Sequence, residues 1–173
     1  MTLAMSAKSA EMKAAGEKVI NFGVGEPDFN TPENIIQAAK DAMDKGYTKY
    51  VAAAGLPALK KAVCEKFKRD NNLDYKPSQI VISNGGKHAI LNAVAAVVEE
   101  GDEVIIPAPY WLTYPEVVRF FGGVPKYVET SRENDFKMTA EQLEAAITPK
   151  TAMLIFNSPC NPTGAVYSEE EIK

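Results

Sequence analysis

From residue 79 onward the chain alternates short β-branched, apolar runs with longer stretches of helical spacing. Residues 79–83, 103–107, 124–129 and 151–157 read as strands, and residues 87–99, 115–121 and 139–147 as helices. A strand, a helix and a second strand in one sheet close as a right-handed crossover. Repeating that unit gives a mostly parallel sheet with helices on both faces. The expected fold class is therefore α/β, with a three-layer α/β/α architecture. Thr139 is the expected N-cap of the helix at 139–147 and Ser168 that of a further helix just beginning, because a short hydroxyl there can accept a free amide hydrogen.

The stretch before residue 79 has a different texture. Residues 2–15 read as a helix ending at Gly16, with Leu3, Met5, Ala10 and Met12 as candidate buried positions. Residues 19–24 form a short extended run, and Gly25-Glu26-Pro27-Asp28 carries turn chemistry. A second helix opens with Thr31 as N-cap and Pro32 at its first position, carries a stripe of Ile35, Ile36, Ala39, Ala42 and Met43, and stops at Gly46. A third follows Gly55, with Leu59, Val63 and Phe67 at spacing four. Its Lys60, Lys61, Lys66, Lys68 and Arg69 read as a solvated face.

Charge and cysteine usage remove several function classes. A net charge of −4 gives no electrostatic reason to bind nucleic acid or an anionic membrane. Cys64 and Cys160 are the only cysteines, which excludes a disulfide scaffold and favours a reducing, cytoplasmic setting. With His88 the only histidine, a structural zinc site lacks its usual donors. No apolar run reaches the roughly 20 residues of a membrane span, and no basic stretch precedes an apolar core at the start, so no leader is expected.

Open parallel sheets bind ligands beyond the carboxyl ends of their strands, and three unusual loops occupy such places. Asn84-Gly85-Gly86-Lys87 joins a strand to a helix N-terminus. Glycines there let an anion approach free amides and the positive end of the helix dipole; a tight turn without a ligand explains them equally well. Ala108-Pro109-Tyr110-Trp111 supplies the only tryptophan, either to stack on a flat heteroaromatic ring or to fill the core. In the loop spanning residues 158–164, Asn161 sits in a proline frame that can aim its carboxamide at an oxygen. Together these residues describe a phosphate cradle, a stacking face and an oxygen donor, which suits several phosphorylated aromatic ligands. Cys160 reads as a packing thiol, since His88 is remote in sequence, and His88 as a first-turn helix residue.

Five segments then fall into a familiar order: Gly25-Glu26-Pro27-Asp28-Phe29, Thr48-Lys49-Tyr50 with Gly55, Gly85-Gly86-Lys87, Pro109-Tyr110-Trp111, and Asn157-Ser158-Pro159-Cys160-Asn161-Pro162-Thr163-Gly164. The chain resembles class I aminotransferases of fold type I, in particular the bacterial aspartate aminotransferase subgroup. The resemblance implies pyridoxal 5'-phosphate (PLP) as cofactor, an amino acid and a 2-oxo acid as substrates, a cytoplasmic homodimer, and no nucleic-acid or membrane partner. It implies that Gly85, Gly86 and Lys87 bind the cofactor phosphate, mainly through backbone amides. Trp111 would stack on the pyridine ring, and Asn161 would meet its phenolic oxygen and help orient the substrate carboxylate. Gly25 would offer its amide to that carboxylate, and Tyr50 would reach the partner subunit's cofactor phosphate.

In the family the Schiff-base lysine, the aspartate at the pyridinium nitrogen, a further basic phosphate ligand and the carboxylate-binding arginine all follow the Asn-Pro-Thr-Gly motif. No catalytic residue is therefore assigned within residues 1–173, and an N-terminal fragment is expected. Residues 1–30 would form a small-domain or interface part, and residues 31–173 an incomplete large domain. Strands that come later in the family's chain separate some of those present here, so the strand at 79–83 would lack a direct neighbour. A lyase or synthase on the same fold stays open, as does a non-catalytic fragment that pairs with an intact aminotransferase.

Overall fold

The computed structural model describes residues 2–22 and 25–173, which divide into two compact units, residues 1–50 and 51–173. In the first unit, helix α1 spans Thr2–Ala14. It ends where Gly16 turns to φ +84° and the amides of Gly16 and Glu17 close back on the Lys13 and Met12 carbonyls. Its expected core positions are not buried: Met5 and Ala10 are exposed and Met12 half-buried, while the Leu3 side chain lies outside the described residues. The extended run at 19–24 belongs to no strand as far as Phe22; residues 23 and 24 lie outside the described residues.

Helix α2 spans Glu33–Asp44. Thr31 is not its cap. Pro32 holds that position with φ −54° and ψ 140°, and its carbonyl accepts the Ile35 and Ile36 amides at 2.9 and 3.1 Å. A proline ring presets the dihedral needed at the helix entrance but brings no side-chain acceptor, so the start moves one residue downstream.

The second unit opens with α3, Pro57–Asn71, which ends on left-handed Asn72. Lys61 pairs with Glu65 at 3.7 Å and Lys66 with Asp70 at 4.0 Å, so its basic side chains form a solvated ion-paired face. Residues 79–83 do not form the expected strand. Gln79 closes a short 3₁₀ turn, Pro77–Gln79. The following residues run without a ladder, tied back by one bond from the Ile82 amide to the Ala54 carbonyl at 3.1 Å. A strand exists only with a paired neighbour, and this run has none among the described residues.

That sheet contains β1 (Glu103–Ala108), β2 (Val124–Glu129) and β3 (Thr151–Leu154), all parallel, in the order β2-β1-β3. β3 is shorter than the expected 151–157; after Leu154 only the Ile155 amide still reaches the Ile105 carbonyl, at 3.0 Å. Central β1 is apolar on both faces. Val104 and Ile106 pack with Val94 of α4 (Gly86–Val97), with Val98, and with Tyr114, Val117 and Val118 of α5 (Thr113–Phe120). Ile105 points the other way, to Val128, Met138 and Ala146 of α6 (Ala140–Ala146). This alternation is the expected three-layer α/β/α arrangement, and each fully buried aliphatic side chain adds about 1.5–3 kcal/mol. Thr139 caps α6 as expected: its hydroxyl accepts the Gln142 amide at 3.2 Å while Gln142 Oε1 accepts the Thr139 amide at 2.9 Å. Ser168 and Glu171 repeat the device at α7 (Glu169–Ile172).

At the amino end of β1, Glu103 Oε2 accepts from Thr148 Oγ1 at 2.7 Å and from Lys126 Nζ at 3.2 Å. The Thr148 hydrogen bond, then the one from Lys126, holds this carboxyl below its ordinary value of 4.5. A depressed folded-state value contributes stability above the unfolded value, lost as pH falls through the folded one. Glu103→Gln is therefore expected to lower the thermal midpoint near neutral pH and to flatten its fall below about pH 4.5. Parallel curves for the two proteins across that window would refute this.

Candidate functional site

The site is built in the second unit, where the run after Pro77–Gln79, β1 and β3 each end in one of the three loops. Gly85 sits at the entrance of α4 with φ +85° and ψ 169°. A Cβ there would strain the backbone, and nothing lies within 4 Å of one at Gly85 or Gly86. The first amides of α4, Gly86 and Lys87, have no acceptor inside the helix and sit at its positive end. His88 does more than the sequence suggested: its Nδ1 accepts the Asn84 amide at 3.0 Å, tying the first turn of the helix to the start of the loop. The available signal was the spacing of four between an amide needing a partner and a ring nitrogen able to reach back.

Trp111 follows β1 and is half-buried. Its indole packs edge-on against Tyr114, with centroids 5.6 Å apart at 89°, and contacts the α4–α5 core. The Lys87 ammonium lies 5.4 Å from the same ring, within cation–π range. Trp111 therefore packs in part into the core, and its ring also meets the Lys87 ammonium. Lys87 pairs with no carboxylate among the described residues, so the rim keeps a free positive charge.

The third loop folds on itself through Asn161 amide to Asn157 Oδ1 at 2.8 Å and Gly164 amide to the Cys160 carbonyl at 2.8 Å. Gly164 takes φ +75°. Asn161 is exposed, and its carboxamide has no protein partner among the described residues, so it can donate to a ligand oxygen. Cys160 Sγ lies 3.6 Å from the Pro109 carbonyl, joining this loop to the Trp111 loop. Asn161, Cys160, Tyr110, Tyr114 and Tyr167 line a narrow cleft between them. Burial pushes the Tyr114 phenol up from 10.0. A hydrogen bond with Tyr127, then burial, raises Tyr110 likewise, so both phenols stay neutral donors near neutral pH.

The structure thus brings Gly85, Gly86, Lys87, Trp111 and Asn161 to one rim through loop-to-loop contacts. Gly25 and Tyr50 belong to the first unit, where both are exposed. Among the described residues no cluster of His, Cys, Asp or Glu could hold a metal ion, and no helix is long and apolar enough to cross a membrane.

Known proteins match almost the whole chain. Residues 17–173 match the family description "Aminotransferase class I and II". The chain is 58% identical over 172 residues to an aspartate aminotransferase of Bacillus sp. (strain YM-2), covering 99% of this chain and 44% of the relative. It is 55% identical to an aspartate/prephenate aminotransferase of Cereibacter sphaeroides, covering 99% of this chain and 43% of that one. The structure of the Thermus thermophilus aspartate aminotransferase with maleate matches with a TM-score of 0.95 and 46% identity, over 99% of this chain and 45% of the other. The Rhizobium meliloti aspartate aminotransferase matches at 0.92 and 48%, over 98% and 42%. The chain therefore spans less than half the length of these relatives, and with the family description matching residues 17–173 it belongs to the class I and II aminotransferase family.

Proposed function

We propose that this chain carries part of the cofactor site of a PLP-dependent, cytoplasmic aminotransferase that moves the amino group of L-aspartate, or of a related amino acid, to a 2-oxo acid. The observation that carries this reading is the convergence of three strand-end loops, with the Lys87 ammonium 5.4 Å from the Trp111 ring and Cys160 against the Pro109 carbonyl.

The residues present fit the cofactor. Open space in front of Gly85 and Gly86 and the free amides of α4 suit a phosphate. Trp111 offers an aromatic surface to a pyridine ring, and the unpartnered Asn161 carboxamide can donate to its phenolic oxygen. When bound, PLP supplies an electron sink for the charge left at the substrate Cα after its α-proton departs. The work of these residues is positional: Gly86 and Lys87 fix the phosphate end, Trp111 the plane, and Asn161 the oxygen edge. The Lys87 charge supports binding of an anionic cofactor and an acidic substrate. Gly25 is assigned to the substrate carboxylate, and Tyr50 to the cofactor phosphate of the partner in a homodimer. No residue of this chain is assigned the proton transfer.

The test uses the intact protein with PLP, L-aspartate and 2-oxoglutarate. Formation of oxaloacetate and L-glutamate, reversible and dependent on both substrates, is expected. A second arm offers prephenate as acceptor, because the Cereibacter relative's name includes it. Consumption of the amino acid without glutamate would replace this reading by a lyase on the same fold. No turnover together with co-purification of a separate aminotransferase would replace it by a non-catalytic partner.

A further inference from the structure

Each of the three residues that lead into Trp111 is gripped by a different group. The Ala108 carbonyl accepts from Thr130 Oγ1 at 2.5 Å and from the Thr130 amide at 3.2 Å. The Pro109 carbonyl meets Cys160 Sγ at 3.6 Å. The Tyr110 ring stacks on Tyr127, with centroids 5.0 Å apart and planes 10° from parallel. Tyr127 is itself held from α5: its hydroxyl accepts from Arg119 Nη2 at 2.8 Å, and Arg119 Nη1 donates to Glu116 at 2.8 Å.

We propose that Thr130, Tyr127 and Cys160 form a three-point clamp on residues 108–110, and that they are positioning residues setting the orientation of Trp111. The proposal rests on the reading of Trp111 as the stacking surface for the cofactor ring. That surface must be held within about 0.5 Å and 10–20° of its working geometry to be productive. Trp111 is half-buried, packed in part against the core, so the backbone that precedes it also sets its tilt. The three grips are unequal. Thr130 contributes two hydrogen bonds from a half-buried position and anchors the chain where it leaves β1. Tyr127 adds a stacked ring whose far end is pinned by a guanidinium; such aromatic pairs contribute beyond their buried area. A thiol is a weak donor, so Cys160 is the least of the three. Two grips come from the end of β2 and one from the loop after β3, so the Trp111 loop is seated only when both neighbours of β1 are in place.

The test labels the intact protein with 5-fluorotryptophan and identifies the Trp111 ¹⁹F signal by its loss in Trp111→Phe. Thr130→Val keeps the shape and removes the hydroxyl donor; Thr130→Ser keeps the donor. The clamp predicts a shifted or broadened Trp111 signal and a PLP dissociation constant raised about tenfold in Thr130→Val, with both restored in Thr130→Ser. An unchanged signal and dissociation constant in a Thr130→Val protein that has merely lost thermal stability would overturn it, because a purely structural threonine moves only the melting curve. If Thr130→Val does not fold, Tyr127→Leu takes its place at a more exposed position: a moved Trp111 signal with weakened PLP binding supports the clamp, and two unchanged values overturn it. Failure of the wild-type protein to bind PLP would defeat the cofactor reading, while the Trp111 signal without PLP still tests the clamp.

Discussion

Gly123→Ala is expected to lower folding stability by roughly 2–3 kcal/mol, a large effect for the addition of one methyl group. Gly123 lies between α5 and β2. A Cβ there would fall 2.6 Å from Val98 Cγ1, 2.9 Å from Val118 Cγ1 and 3.2 Å from the Val118 carbonyl oxygen. Val118 is fully buried and Val98 nearly so, so neither has room to withdraw. The carbonyl is held in place because it accepts the Gly123 amide at 3.0 Å. Relief must come from moving α5 against the sheet, on the face of β1 that carries Val104 and Ile106. Gly101→Ala provides the control: nothing lies within 4 Å and only its φ of +86° is unfavourable, a cost of about 1 kcal/mol. Urea unfolding of the intact protein followed by circular dichroism measures both. Equal midpoints for the two variants would show that the contact at Gly123 is relieved cheaply.

Gly85→Val should leave the fold largely intact and raise the PLP dissociation constant at least about 100-fold. A Cβ at this position meets no atom within 4 Å, so the first added carbon is not crowded. The backbone is: φ of +85° is a costly conformation for a β-branched residue, worth about 1–3 kcal/mol of strain. The turn can shed that strain only by rotating, which swings the Gly86 and Lys87 amides away from a common point. Gly46→Ala, with φ +75°, carries a similar backbone penalty at a residue outside the glycine turn and should bind PLP normally. Equilibrium dialysis reads the result; a dissociation constant within about threefold of wild type would remove the turn from the phosphate site.

What the sequence made legible depended on how far each signal had to reach. The Thr139 and Ser168 caps were readable because a capping box is complete within four residues. The buried middle of β1 was readable because Val104, Ile105 and Ile106 leave no polar face for water. Residues 79–83 carry strand propensity, yet propensity does not supply a neighbour, and the ladder never forms. At Thr31 the local rule met a stronger local rule, the dihedral set by Pro32. Trp111 could be read as core or as ligand face, and the fold shows its partial core packing. The grips of Thr130 and Tyr127 on residues 108 and 110 follow from the β1–β2 register, which pairs Ala108 with Glu129, and no single-strand pattern reveals a register. His88 was placed in the right turn of the right helix without the hydrogen bond that gives it a task there.

The order β2-β1-β3 also sets a calendar for the growing chain. A ribosome delivers the middle strand first, then the neighbour on one side, then the neighbour on the other. β1 is thus a template laid down early and sealed in two steps, and its second edge stays open until residues 151–154 have been made. The three loops inherit that schedule: the glycine turn is synthesised first, the tryptophan loop next, and the asparagine loop last, so the rim closes in the same direction as translation.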